Sequence, residues 1–183
     1  MHQRFYCYLY DYSLFIDEFN LFHPDINYHK DYRNPIVNKN YYIEIKNFLN
    51  YYEKITKNKV IIAKHPKNYI KNLYDRFEIS NIFEYINNAK DIIANSSTAV
   101  NIAVLNKKNI LFLNSKSYSN EYQKSINLFA KALLQKEIYI DDINNYSNVN
   151  FDYQLSIKQY DRYIEDFINA SGENSTHIEN IYN

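Results

Sequence analysis

Three features of this sequence point to an α/β domain with a parallel sheet flanked by helices. Short β-branched apolar runs recur, the clearest being Val60-Ile61-Ile62-Ala63 and Asp91-Ile92-Ile93-Ala94. Longer amphipathic stretches lie between them. The two kinds of segment alternate at the spacing of βαβ units, which build a parallel sheet through right-handed crossovers.

Leu14-Phe15-Ile16 reads as a first short strand, followed by a polar loop from Asp17 to Asn40. Ile45, Phe48, Leu49, Tyr52 and Ile55 recur at helical spacing, so a helix is expected over Tyr41 to Thr56. Val60 to Ala63 is continuous and β-branched, as a strand covered on both faces should be. Short helices are expected at Asn68 to Tyr74 and Ile82 to Ala89, before the strand Asp91 to Ala94. Ser96 opens a helix to about Asn106, Asn109 to Leu113 is a strand, and Ser119 to Gln135 a long helix. Ile138-Tyr139-Ile140 is a marginal last strand, and Ser156 to Asn169 a closing helix. The expected organisation is an N-terminal extension over 1–13, a single Rossmann-like domain over 14–170, and a flexible tail over 171–183.

The 183 residues allow one domain with a real core, and two would be cramped. Lys plus Arg and Asp plus Glu both number 21, so the chain has no net charge. A general nucleic-acid binder carries a basic excess against backbone phosphates, so nucleic acid is not an expected partner. Small anions held by local basic clusters stay open. The 21 Tyr and 11 Phe fit either a recognition surface or a genome rich in A and T. The bias runs through the whole chain, which favours the second. Cys7 is the sole cysteine, so no intramolecular disulfide forms and a cytoplasmic, reducing home is expected. Met1 to Tyr12 is unlike a secretory signal, and no apolar run nears the roughly 18 to 20 residues that span a bilayer.

Ligands of open parallel sheets sit beyond the carboxyl ends of the strands. One such end carries Lys64-His65-Pro66-Lys67, where Pro66 pushes His65 toward an extended conformation. Near a phosphate the imidazole becomes a charged donor, with Lys64, Lys67 and Lys71 close by. The same residues also fit a His-Pro turn with solvated lysines. A second end carries Asn95-Ser96-Ser97-Thr98. Hydroxyls at a helix start cap backbone N–H groups, and the same group of donors describes an anion site. The two motifs lie about one βαβ repeat apart, so they are expected at adjacent strand ends. A third cluster, Asp17-Glu18 with His23-Pro24-Asp25, supplies either a general base or a solvated connection. The single glycine, Gly172, rules out every glycine-dependent phosphate cradle, and no zinc-type Cys/His spacing is present.

Val60 to Pro66, Ile92 to Ala99 and Asn109 to Leu113 together resemble the carboxyl-terminal, donor-binding half of bacterial surface-polysaccharide glycosyltransferases of the two-domain GT-B type. The ordered HP and Ser-Ser/Thr motifs are similar to those of GT-B sialyltransferases and Kdo transferases. Teichoic-acid glycerophosphotransferases have a similar signature. Leu14 to Glu18 with Phe22 to Asp25 looks like the opening of this half, and the likeness extends over roughly Leu14 to Asp142. It implies one half of a GT-B fold and a nucleotide-sugar donor of the CMP-linked kind. It also implies no metal or other cofactor, and a glycan or lipid-linked acceptor at the inner face of the membrane. By position, Lys64, His65, Pro66, Arg76, Asn95, Ser96, Ser97 and Thr98 would hold the donor. His65 would contact its phosphate and stabilise the leaving group's charge. Such enzymes have two Rossmann-like domains, and the length here is that of one, so a separate N-terminal GT-B domain is an expected partner. If Asp17 or Glu18 is the base, some chemistry resides in this chain. Otherwise it is a non-catalytic nucleotide-binding module, with CDP-glycerol an alternative donor.

Overall fold

Tyr12–Ile16 is apolar enough to be covered on both faces, and it forms the strand around which the sheet is built. The computed structural model describes residues 12–20, 34–38, 40–68, 70, 73–74, 78–151 and 155–169. The chain runs β1 (Tyr12–Ile16), α1 (Tyr41–Thr56), β2 (Lys59–Ala63), β3 (Glu78–Ser80), α2 (Ile82–Tyr85) and β4 (Asp91–Ala94). It continues through α3 (Val100–Leu105), β5 (Asn109–Asn114), α4 (Asn120–Leu133), β6 (Lys136–Tyr139) and α5 (Ile157–Tyr163). A π-helical turn over Ile164–Ile168 extends α5.

Among the described residues the sheet has six strands, all parallel, in the order β3-β2-β1-β4-β5-β6. This is the doubly wound, Rossmann-like order. The chain moves one way from β1 to β2 and the other way from β4 to β5. The switch point therefore lies between β1 and β4, where Leu14 pairs with Ile92 and Phe15 with Ile93.

The core is the sheet's own aliphatic strands plus the inner faces of the helices. Ile45, Phe48, Leu49 and Tyr52 of α1 are buried, as are Ile126, Ala130 and Leu133 of α4. Each large apolar side chain so removed from water contributes roughly 1.5–3 kcal/mol. Ser119 caps α4 by accepting from the Tyr122 N–H, and Pro35 O accepts from the Ser119 N–H at 2.7 Å. Those two bonds fix where α4 starts relative to the 34–38 segment. Among the described residues no helix is long and apolar enough to cross a membrane.

Several boundaries differ from the sequence expectation. β1 begins at Tyr12 rather than Leu14, inside the stretch expected as an extension. The helix expected from Asn68 to Tyr74 is not seen at its described residues, which form loop and turn. Glu78–Ser80 is an edge strand that the sequence did not suggest. The helix expected at Ser96 starts only at Val100. Residues 96–99 instead form turns, with Val100, Asn101 and Ile102 N–H donating to Ser97, Thr98 and Ala99 carbonyls. The tail over 171–183, like His23-Pro24-Asp25 and Arg76, lies outside the described residues.

Candidate functional site

The carboxyl end of β1 carries Asp17 and Glu18, and the two acids have different surroundings. Asp17 is 2 % exposed. Its carboxylate accepts from Tyr74 Oη at 2.6 Å, Asn68 Nδ2 at 2.9 Å and the Phe19 N–H at 3.0 Å. Its own N–H donates to Ala63 O at the end of β2. Asp17 thus ties β1 to the loop that follows β2. Phe19 adopts φ 55°, a left-handed turn in a non-glycine residue, which costs about 1–2 kcal/mol. The Asp17 bond to its N–H and complete burial of its ring hold it there.

Glu18 faces the other way, toward β4 and α4. Its Oε1 accepts from the Ser96 N–H at 2.6 Å, and its Oε2 from Tyr122 Oη at 2.7 Å. Asn20 Nδ2 donates to Tyr122 Oη at 2.7 Å and reaches Glu18 Oε2 at 3.5 Å. Ser96 Oγ and Ser125 Oγ are 2.5 Å apart. Burial pushes the Glu18 pKa from 4.5 up to about 7, with a smaller push from the Asp17 charge. The bonds from Tyr122, Ser96 and Asn20 oppose this shift. Burial and the neighbouring carboxylate hold the Tyr122 hydroxyl well above its ordinary value, so it remains a proton donor to Glu18. Tyr122→Phe removes the strongest of the opposing bonds. The Glu18 pKa should then rise further in an NMR titration of its side-chain carboxyl carbon, and a fall would contradict this arrangement.

His65 stands on the far side of β1 from Ser96. Its backbone carbonyl accepts from the Asn68 N–H at 2.9 Å, closing a turn with Pro66 in the second position. The Lys67 N–H donates to His65 Nδ1 at 3.1 Å, so the neutral ring carries its proton on Nε2. The imidazole stacks on Phe19, with centroids 6.4 Å apart and planes 17° apart. Lys64 is half-buried and Lys67 exposed. The adjacency expected of the two motifs is not what forms. β1 lies between β2 and β4, which separates their ends by two strand spacings, about 10 Å.

The hydroxyl motif divides its tasks. Asn95 is fully buried and donates to Leu113 O at 2.7 Å and Tyr118 Oη at 3.0 Å, bracing the ends of β4 and β5. Ser96 belongs to the Glu18 cluster. Ser97 Oγ accepts from the Ala99 N–H at 3.2 Å, and Thr98 is exposed. The structure therefore brings Glu18 together with Ser96, and Asp17 with the loop carrying His65. Sequence reasoning missed Tyr122, Ser125 and Asn20. Tyr122 and Ser125 share one face of α4 at i, i+3 spacing, a polar pair on an otherwise apolar side and the one local hint of their role.

No family model matches the chain, and no curated protein matches it. Among the described residues no group of three or more His, Cys, Asp or Glu is arranged to hold a metal ion. The site is thus defined by its geometry: a carboxylate that titrates near neutrality at the switch point, a basic turn on one side of it, and a hydroxyl-lined crevice on the other.

Proposed function

We propose that this domain is the donor-binding half of a glycosyltransferase acting on a nucleotide-linked sugar, with Glu18 as its general base. The observation that carries the reading is the position of the Glu18 carboxylate. It lies at the carboxyl end of β1, beside the switch point where open parallel sheets bind their ligands, with the His65 turn one strand away. A general base works best when its pKa lies near the working pH, and about 7 meets that condition.

The acceptor hydroxyl oxygen forms a bond to the sugar's anomeric carbon while the bond from that carbon to the donor phosphate oxygen breaks. The bonding pair leaves with the phosphate, and the hydroxyl proton passes to Glu18. His65 Nε2–H, with Lys64 and Lys67, offsets the charge that grows on the leaving phosphate. The resemblance alone assigns Ser97, Thr98 and Arg76, the last outside the described residues, to the same donor. Asp17 positions the His65 turn through Asn68. The resemblance favours a CMP-linked sugar, a surface-polysaccharide or lipid-linked acceptor and a separate acceptor-binding domain.

Water can replace the acceptor hydroxyl, so hydrolysis of a CMP-linked sugar is the simplest assay. The chain is expected to release CMP, and His65→Ala to slow release by at least about tenfold. Release of CMP at the same rate by the variant would remove His65 from the reaction. Faster turnover of CDP-glycerol than of any CMP-linked sugar would move the chain to glycerophosphate transfer.

A further inference from the structure

The rim of the sheet is divided by charge. On the β2 side of β1 stand Lys64, His65 and Lys67. On the β4 side is an open crevice of about 430 Å³ between the strand ends and the first turns of α4. Glu18, Asn20, Ser96, Glu121, Tyr122 and Ser125 are among the residues that line it. Among the described residues no Lys, Arg or His lines this crevice. Two carboxylates without a cation repel a phosphate. One backbone donor of the hydroxyl motif, the Ser96 N–H, already binds Glu18 Oε1 at 2.6 Å. What the crevice offers instead is paired donors and acceptors: serine hydroxyls, a tyrosine hydroxyl, an amide and carboxylate oxygens. That set matches vicinal hydroxyl groups, which donate and accept in turn.

We propose that this crevice is the acceptor subsite of the domain, taking an uncharged, hydroxyl-rich ring whose reacting hydroxyl lies against Glu18. The proposal rests on the glycosyl-transfer reading, and it moves Ser96 from the donor phosphate to the acceptor. The donor phosphate then lies toward the β2 turn, and Glu18, on β1, stands between the two substrates. An acceptor contact on the donor-binding half itself follows, whatever a separate domain adds.

The test uses the full-length ¹⁵N-labelled chain titrated separately with lactose, inorganic phosphate and CMP, read by amide shifts. Lactose is expected to shift Ser96, Tyr122 and Ser125 saturably while phosphate leaves them in place. Glu121→Ala and Ser125→Ala should each weaken lactose about fivefold, the loss of roughly one hydrogen bond. Glu121 is on the surface, so that variant retains the fold. Phosphate shifting the same amides, or lactose leaving them unmoved, overturns the subsite. CMP is read at Lys64, His65, Lys67 and Asn68. A CMP response there without a lactose response ends the subsite and keeps the donor reading. A lactose response without a CMP response ends the donor reading and leaves the crevice as a sugar-binding site without a transfer role.

Discussion

Glu18→Gln is expected to slow sugar transfer or donor hydrolysis by about 10²–10⁴-fold, the usual contribution of a positioned base. The same substitution should make the protein more stable at pH 8. The folded pKa of about 7 lies above the ordinary 4.5, so the folded state binds the proton more tightly than the unfolded chain. Stability from this group is therefore present below pH 4.5 and falls as the pH rises to 7. The full shift corresponds to about 3 kcal/mol, and partial exposure of Glu18 reduces this to about 1–2 kcal/mol. Glutamine keeps an acceptor for the Ser96 N–H and carries no charge. Urea unfolding of both proteins at pH 5 and pH 8 checks the sign. The variant should gain on the wild type between the two, and an equal difference at both would mean that Glu18 is not desolvated. An active, more stable variant would remove the base while keeping the burial.

Asp17→Ala should have the opposite character, costing about 3–5 kcal/mol of stability. Three donors converge on this carboxylate, and Tyr74 Oη, Asn68 Nδ2 and the Phe19 N–H would lose their acceptor together in a buried place. The Phe19 turn, held against its own conformational preference, would lose its tether as well. Tyr74→Phe removes one of the three bonds and leaves the carboxylate, so about 2 kcal/mol is expected. Denaturant unfolding distinguishes the two variants. A loss no larger for Asp17→Ala than for Tyr74→Phe would show that the carboxylate is not the hub of this network. Because Asn68 closes the His65 turn, residual donor binding by Asp17→Ala should also weaken.

The parts of this fold legible in the sequence are those written in local patterns. α1 occupies Tyr41–Thr56 and β4 Asp91–Ala94, as expected, because a 3.6-residue apolar period and a short β-branched run are local signals. β3 was not legible, since three residues at a sheet edge carry too little pattern. The start of α3 was misplaced for a chemical reason. Ser96 and Ser97 look like helix caps, yet Ser96 is drawn to Glu18 and Ser97 closes a turn three residues before the helix. The acids at β1's end were visible as a pair, but nothing local separated the structural Asp17 from the titrating Glu18. That distinction comes from partners far along the chain: Tyr74 for one, and Tyr122, 104 residues away, for the other. Phe19 hid its turn, because a phenylalanine with positive φ has no sequence signature.

A nucleotide phosphate is expected to bind at the His65 turn beside Glu18. Calorimetric titration of CMP and CDP into the purified chain, alongside His65→Ala and Ser97→Ala, tests it most directly. Saturable binding of either nucleotide, weakened at least about tenfold by His65→Ala and less by Ser97→Ala, is the predicted result. Binding that neither substitution alters, or no heat from any of the proteins, would contradict it.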